Sequence, residues 1–273
     1  MIVAMQSLMV LCRAAEREQA LGALRELGVV HLVPVQAPEG RDLDEARARA
    51  AHIRRVLEVL PAKPGQPPSG QPGEFVVERA WYLLQQKREL EDALEDVRQE
   101  RQRIAPYGNF DPDVVRELRA KGVFIKLVHT APSQAVAAQA GVVVQTLGRD
   151  AAGSYHALVG QQDFAVAGVE LKLPELSRSE LERRISDLEG KLLATGDALW
   201  AHAGDHGVVQ AEAQAAEEAM LFLEAREGMG AAPALAYLKG FCPRESVPAI
   251  RAAAAREGWG LRGSEPTSDG PVP

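Results

Sequence analysis

The stretch ELERRISDLEGKLLATGDALW, from Glu180 to Trp200, constrains the fold of this chain more than any other. Leu181, Ile185, Leu188, Leu192 and Leu199 fall four, three, four and seven residues apart. That spacing lays a narrow apolar seam along one side of a long helix. The same phase runs on through His202, His206, Val209, Ala213, Ala216, Met220 and Leu223. Residues 177–226 therefore read as one rod of about 50 residues, about 75 Å long if helical throughout. Gly204 and Gly207 lie inside the rod and are its candidate flex points, each costing a helix about 1 kcal/mol relative to Ala.

A seam that narrow needs a partner, and the first 104 residues supply one. Leu43, Ala46, Ala50, Ile53, Leu57 and Leu60 alternate three and four apart. The run PAKPGQPPSGQPG (61–73) then breaks the helix, because proline removes a donor and clashes with the preceding turn. It reads as a solvated connector, with a ligand for a partner's aromatic groove as the alternative. Beyond it Val76, Leu83, Leu90, Val97 and Ile104 recur every seven residues, with Ala80 and Leu94 between them. Outgoing and returning lengths match, so residues 41–104 and 176–230 are expected to pair as an antiparallel helical strut carrying the loop 61–73. Homodimerisation through the seam is the competing reading.

The two ends of the chain share a plan. QSLMVLCR, EREQALGALREL and VVHLVPV read as strand, helix, strand, with Leu21, Leu24 and Leu27 on one helical face and Gly28 as a left-handed stop. ALAYLKGF, PRESVPAIRAAAARE and WGLRG repeat it near the C-terminus. Each unit alone exposes an apolar sheet face, so residues 1–37 and 233–263 are expected to form one split α+β lobe. Residues 105–175 read as a second small α+β lobe. It opens with the helix DPDVVRELRAKG. VFIKLVHT, AVAAQAG, VVVQTLG and YHALVGQ follow as strand, helix, strand, strand, and VELKLP closes as a short strand. The expected fold class is thus α+β, an elongated dumbbell of two ferredoxin-like lobes joined by a long antiparallel coiled coil, with 264–273 as a disordered tail.

Little chemistry is visible. A net charge of -7 with no basic stripe argues against nucleic acid as a partner. No run of eighteen apolar residues is present to span a bilayer, and the N-terminus lacks the marks of a signal peptide. The two cysteines, Cys12 and Cys242, suit a reducing cytoplasm. They are expected at opposite edges of the terminal sheet, too far apart to bridge, as buried small hydrophobes. His202 and His206, four apart with Asp205 beside them, are the best metal candidates. HAGDH lacks the Glu of H-E-x-x-H and a third ligand, so packing is the preferred reading and no metal is expected. Phosphate-binding glycine loops and a placed Ser, His, Asp set are both missing, so no enzyme activity, cofactor or small-molecule substrate is expected.

The opening MIVAMQSLMVLCRAAEREQALGALRELGVVHL resembles that of subunit I, or subunit a, of rotary V-type and archaeal-type ATPases. Leu24, Leu27, Gly28, His31 and Leu32 carry the resemblance. YLKGFCPRESVPAIRAAAA is similar to the family's later strand, G-W-V-P and helix. Gly240 and Pro243 match it, while Phe241 and Cys242 stand for the usual Trp and Val. The resemblance implies a cytoplasmic N-terminal stator arm that ends before the family's membrane domain and carries no proton path. It implies peripheral stalk E–G heterodimers as partners at both lobes, and the membrane domain and proteolipid ring as neighbours in the full-length protein. Two other classes compete: a cytosolic coiled-coil adaptor, and a regulatory module sensing a metabolite through its lobes.

Overall fold

The structure is a computed structural model that describes residues 4–264 apart from 133, 135, 137, 138 and 167. In chain order its elements are β1 (Met5–Arg13), α1 (Arg17–Leu27), β2 (His31–Val33), α2 (Arg41–Val59), α3 (Gly73–Ile104), α4 (Pro112–Ala120), β3 (Phe124–Thr130) and β4 (Val142–Asp150). There follow β5 (Gly153–Gly160), β6 (Val169–Glu170), α5 (Arg178–Ala201), α6 (His206–Glu227), β7 (Gly230–Ala232), β8 (Leu235–Pro243), α7 (Val247–Glu257) and β9 (Gly260–Ser264). This is a mixed α+β chain with two sheets and long helices. It divides into two compact units, Met1–Ala80 with His202–Pro273, and Trp81–Ala201.

In the first unit the two ends of the chain build one antiparallel sheet in the order β2-β8-β1-β9. The likeness of the two ends is quantitative. A strand of 9 residues, a 3-10 turn of 3 and a helix of 11 make up each. Left-handed Gly28 and Gly258 cap the two helices. Equivalent positions lie 230 apart, as Met5 to Leu235 and Gly28 to Gly258 show. Leu8, Val10, Ala236 and Leu238 alternate inward from the two central strands, and Leu21, Leu24, Ile250 and Ala254 meet them from α1 and α7 in one core. Alternation on the strands and a three-and-four rhythm on the helices are the two periods such a layer requires.

Cys12 and Cys242 are equivalent under the same offset, and their placement corrects an expectation. They do not sit at opposite edges of the sheet. They lie on its two neighbouring central strands, at opposite ends, because the antiparallel register pairs Cys12 with Ala236 and Gln6 with Cys242. Six register steps separate them, roughly 20 Å at strand rise. Both are free and buried in the core.

Also in this unit, α2 packs against α6. Arg47 pairs with Glu224 and Arg54 with Glu217, seven residues forward on one helix and seven back on the other, so the two run antiparallel. Leu43, Ala50, Ile53, Val56 and Leu60 are the buried positions of the α2 segment. Val56 takes the inward position expected of Leu57, which is only half-buried. Arg226, near the end of α6, bonds Glu18 of α1 at 2.9 Å and Asp42 of α2 at 3.2 Å, tying the helices to the lobe.

The expected unbroken rod is interrupted. Helix α5 ends at Ala201, a 3-10 turn covers Ala203–Asp205, and α6 begins at His206. Ala203 and Asp205 point inward at 2 % and 1 % exposure, whereas His202 and His206, expected on the seam, are half-buried. Three further readings differ from the structure. VVHLVPV is strand only at His31–Val33, VELKLP only at Val169–Glu170, and the short β7, paired with β8, had no counterpart in the periodicity.

In the second unit, α3 and α5 pack through Leu94, Ile185 and Leu188, flanked by Leu90, Ala93, Val97 and Leu192. Thr195 fills the seven-residue gap between Leu192 and Leu199, and its hydroxyl donates back to Lys191 O. Ser177 and Glu180 start α5 as a reciprocal cap. The Glu180 carboxylate accepts from Ser177 N at 2.8 Å and from Ser177 Oγ at 2.7 Å. Asp111 likewise starts α4, accepting from Asp113 N at 2.9 Å. The sheet of this unit runs β4-β5-β3-β6, all antiparallel. Val128, Leu158 and Phe164 centre its core. The helix expected in AVAAQAG rests largely on 135, 137 and 138, which lie outside the described residues; of the tail expected to be disordered over 264–273, Ser264 belongs to β9 instead, and 265–273 lie outside the described residues.

Candidate functional sites

Of the histidine pair picked out by spacing, His202 is engaged by a carboxylate. Its Nδ1 meets Asp205 Oδ2 at 2.9 Å. The other carboxylate oxygen accepts a 2.6 Å hydrogen bond from Ser69 N in the proline-rich loop. Burial alone pushes the Asp205 carboxyl up, but the bonds from His202 and Ser69 outweigh it and hold the group below the usual carboxylate range. Asp205 is the N-cap residue of α6, yet its side chain makes no bond to that helix. Its acceptors are spent on the loop and on His202. Lys63 N donates to Ala203 O at 3.4 Å, and a Cβ at Gly204 would collide with Pro67 O. Gly207, by contrast, has open space around it. Among the described residues, no three His, Cys, Asp or Glu side chains gather as a metal site.

A second polar cluster sits on the sheet of the second unit, and spacing alone did not reveal it. His156, 6 % exposed, bridges two neighbouring strands. Its Nε2 meets Thr130 Oγ1 at 3.2 Å and its Nδ1 meets Thr146 Oγ1 at 3.1 Å. A neutral imidazole has one donor and one acceptor, and the two hydroxyls complement both. Burial pushes the His156 pKa down, and the charges of Arg149 and His129 add to this. Nearby, Tyr155 OH donates to Asp150 Oδ2 at 2.8 Å, while Asp150 Oδ1 accepts from Ala152 N and Gly153 N. This closes the turn between β4 and β5. The only signal in the sequence was the Asp-Ala-Ala-Gly turn itself, and it marks a hairpin rather than a reaction centre.

Two clefts bring charged or apolar side chains together on the surface. One, of about 530 Å³, lies between α4, β3 and residues 170–173. Arg116, Arg119, Lys126 and Lys172 line it over Val115, Phe124, Leu171 and Leu173. Asp113 and the Glu175 carbonyl hold Arg116, Asp163 holds Lys126, and Arg119 lies over the Phe124 ring. The other, of about 350 Å³, is an apolar groove between α1 and α6, lined by Leu21, Leu24, Val30, Leu32, Leu221 and Phe222. The thiols are poor nucleophiles. Burial raises the pKa of both, with Glu16 adding to the effect at Cys12. No helix among the described residues is long and apolar enough to cross a membrane.

The fold also brings together the two sequence segments that carry the family resemblance. Leu32 of β2 pairs with Gly240 of β8, and His31 with Phe241. A side chain at Gly240 would run into His31 O. The glycine of one segment is therefore required by the backbone of the other, across a sequence separation of more than two hundred residues.

Comparison with known proteins finds a similarity to one subunit of V-type ATP synthases. Over its whole length the chain is similar to V-type ATP synthase subunit I 1 of Treponema pallidum (strain Nichols), with 26 % identity over 307 residues, covering 100 % of this chain and 48 % of that protein. The chain thus spans about half the length of the curated relative it matches. A crystal structure of the cytoplasmic N-terminal domain of subunit I, homolog of subunit a, of V-ATPase aligns with 95 % of this chain and 100 % of its own at 16 % identity and a TM-score of 0.33. No protein-family model matches the chain. The resemblance to subunit I read from the two short segments thus extends along the chain.

Proposed function

We propose that this chain is a cytoplasmic stator arm of a rotary V-type ATPase or ATP synthase, the part of a subunit I that joins the membrane sector to the peripheral stalks and resists torque. The similarity to a curated subunit I over the whole chain carries this reading. The strand order supports it. Two strand–helix–strand units interleaved as β2-β8-β1-β9 correspond to a ferredoxin-like lobe, here residues 1–37 and 233–263. Residues 105–175 are the second lobe, and 41–104 with 176–230 are the strut of an elongated dumbbell. A seam buried along a helix pair suits a strut, since bending it disturbs many packed contacts at once. Gly204 and Gly207 lie at the break in the returning helix, where the arm would flex.

In this reading the lobes dock E–G stalk heterodimers, the full-length protein continues into a membrane domain facing the proteolipid ring, and the arm lies on the cytoplasmic side. It is non-catalytic and has no proton path. Cross-linking of membranes that hold the assembled complex tests the docking. Lys239 in the first unit, and Lys121 or Lys172 in the second, are expected to link to stalk subunits. Links from these lysines to unrelated soluble proteins alone would contradict the reading and favour an adaptor.

A further inference from the structure

We propose that the proline-rich loop 61–72 is a strap that holds the break in the returning helix shut. The observations come from both partners. Interrupting a helix strands backbone groups that the next turn would have satisfied. At this interruption Lys63 N of the loop donates to Ala203 O of the turn at 3.4 Å. Asp205 stands where an aspartate ordinarily caps its own helix, yet it gives its carboxylate to Ser69 N and to His202. Buried at 1 % exposure, that carboxylate would be costly without those two donors. Gly204 lets the loop backbone lie against the turn, since any side chain would meet Pro67 O.

The two glycines at the break therefore have different tasks. Gly204 is the seat of the strap, and Gly207, with open space about it, is where the helix itself yields. The prolines of the loop suit a strap, because a segment with few accessible backbone states loses little entropy on docking. Helix α6 can then change direction at 203–207 only when the loop lifts, so the loop sets how readily the break opens. The strap is a property of this chain by itself and stands or falls independently of any stator role.

Hydrogen exchange on the full chain tests it with three variants. Ser69→Pro removes the donor to Asp205 and leaves Asp205 in place. Gly204→Ala blocks the seat. Gly207→Ala alters the same turn without touching the loop. Exchange at 63–69 and 203–209 is expected to quicken about tenfold or more in the first two, with 216–227 unchanged, and to stay level or slow in the third. The strap is overturned if 61–72 loosens while 203–209 keeps its protection, since the loop would then be a passenger. It is also overturned if all of α6 loosens evenly, since the contact would then merely support the fold.

Discussion

Asp205 and His156 are buried ionisable groups whose neighbours decide their charge. Replacing Asp205 by Ala leaves Ser69 N and His202 without their acceptor and is expected to destabilise the first unit by about 1–3 kcal/mol, measured by chemical denaturation. His156 predicts a pH dependence of opposite origin. Its folded pKa lies below its unfolded value, so the folded state binds fewer protons between the two. The stability it contributes is complete above an unfolded pKa of about 6.5 and declines as pH falls below that. Protection of β3 and β5 in hydrogen exchange should therefore weaken from pH 7 to pH 5 in the native chain, and a His156→Gln variant should show a flatter profile. Sequence reading is weakest at this scale. It favoured Leu57 over Val56, and it placed His202 and His206 on the seam because a heptad count knows nothing of a loop more than a hundred residues away that bonds Asp205.

Single elements carry much of the information in their own residues. Helix α5 is foretold by its leucines, and Ser177, just before its first residue Arg178, fixes its start. Ser177→Ala should lower helix stability by about 1 kcal/mol, visible as faster exchange in the first turns of α5. Leu188→Ala, in the packed seam with Leu94 and Ile185, should cost about 2–5 kcal/mol and lower the melting temperature accordingly. The strand–helix pairs at the two ends were legible for the same reason, since alternation on β1 and β8 and the caps Gly28 and Gly258 are local signals. What escaped notice depends on distant partners: the 3-10 turn at 203–205, set by the docked loop, and β7, a three-residue strand whose pairing with β8 leaves no periodicity to read.

For the whole molecule, the split sheet of the first unit is the feature that matters most, because it makes the beginning and end of the chain one structure. Gly240 against His31 O shows why both segments of the family resemblance belong together. A Gly240→Ala substitution is expected to prevent normal assembly of this sheet, detected as loss of protection across β2 and β8 together. The function follows from what that unit and the second one engage. The most direct measurement is a calorimetric titration of a purified E–G stalk heterodimer into the full chain. The stator account predicts saturable binding at two sites, one on each sheet-bearing unit. No measurable heat and no complex by sedimentation at matching concentrations would contradict it.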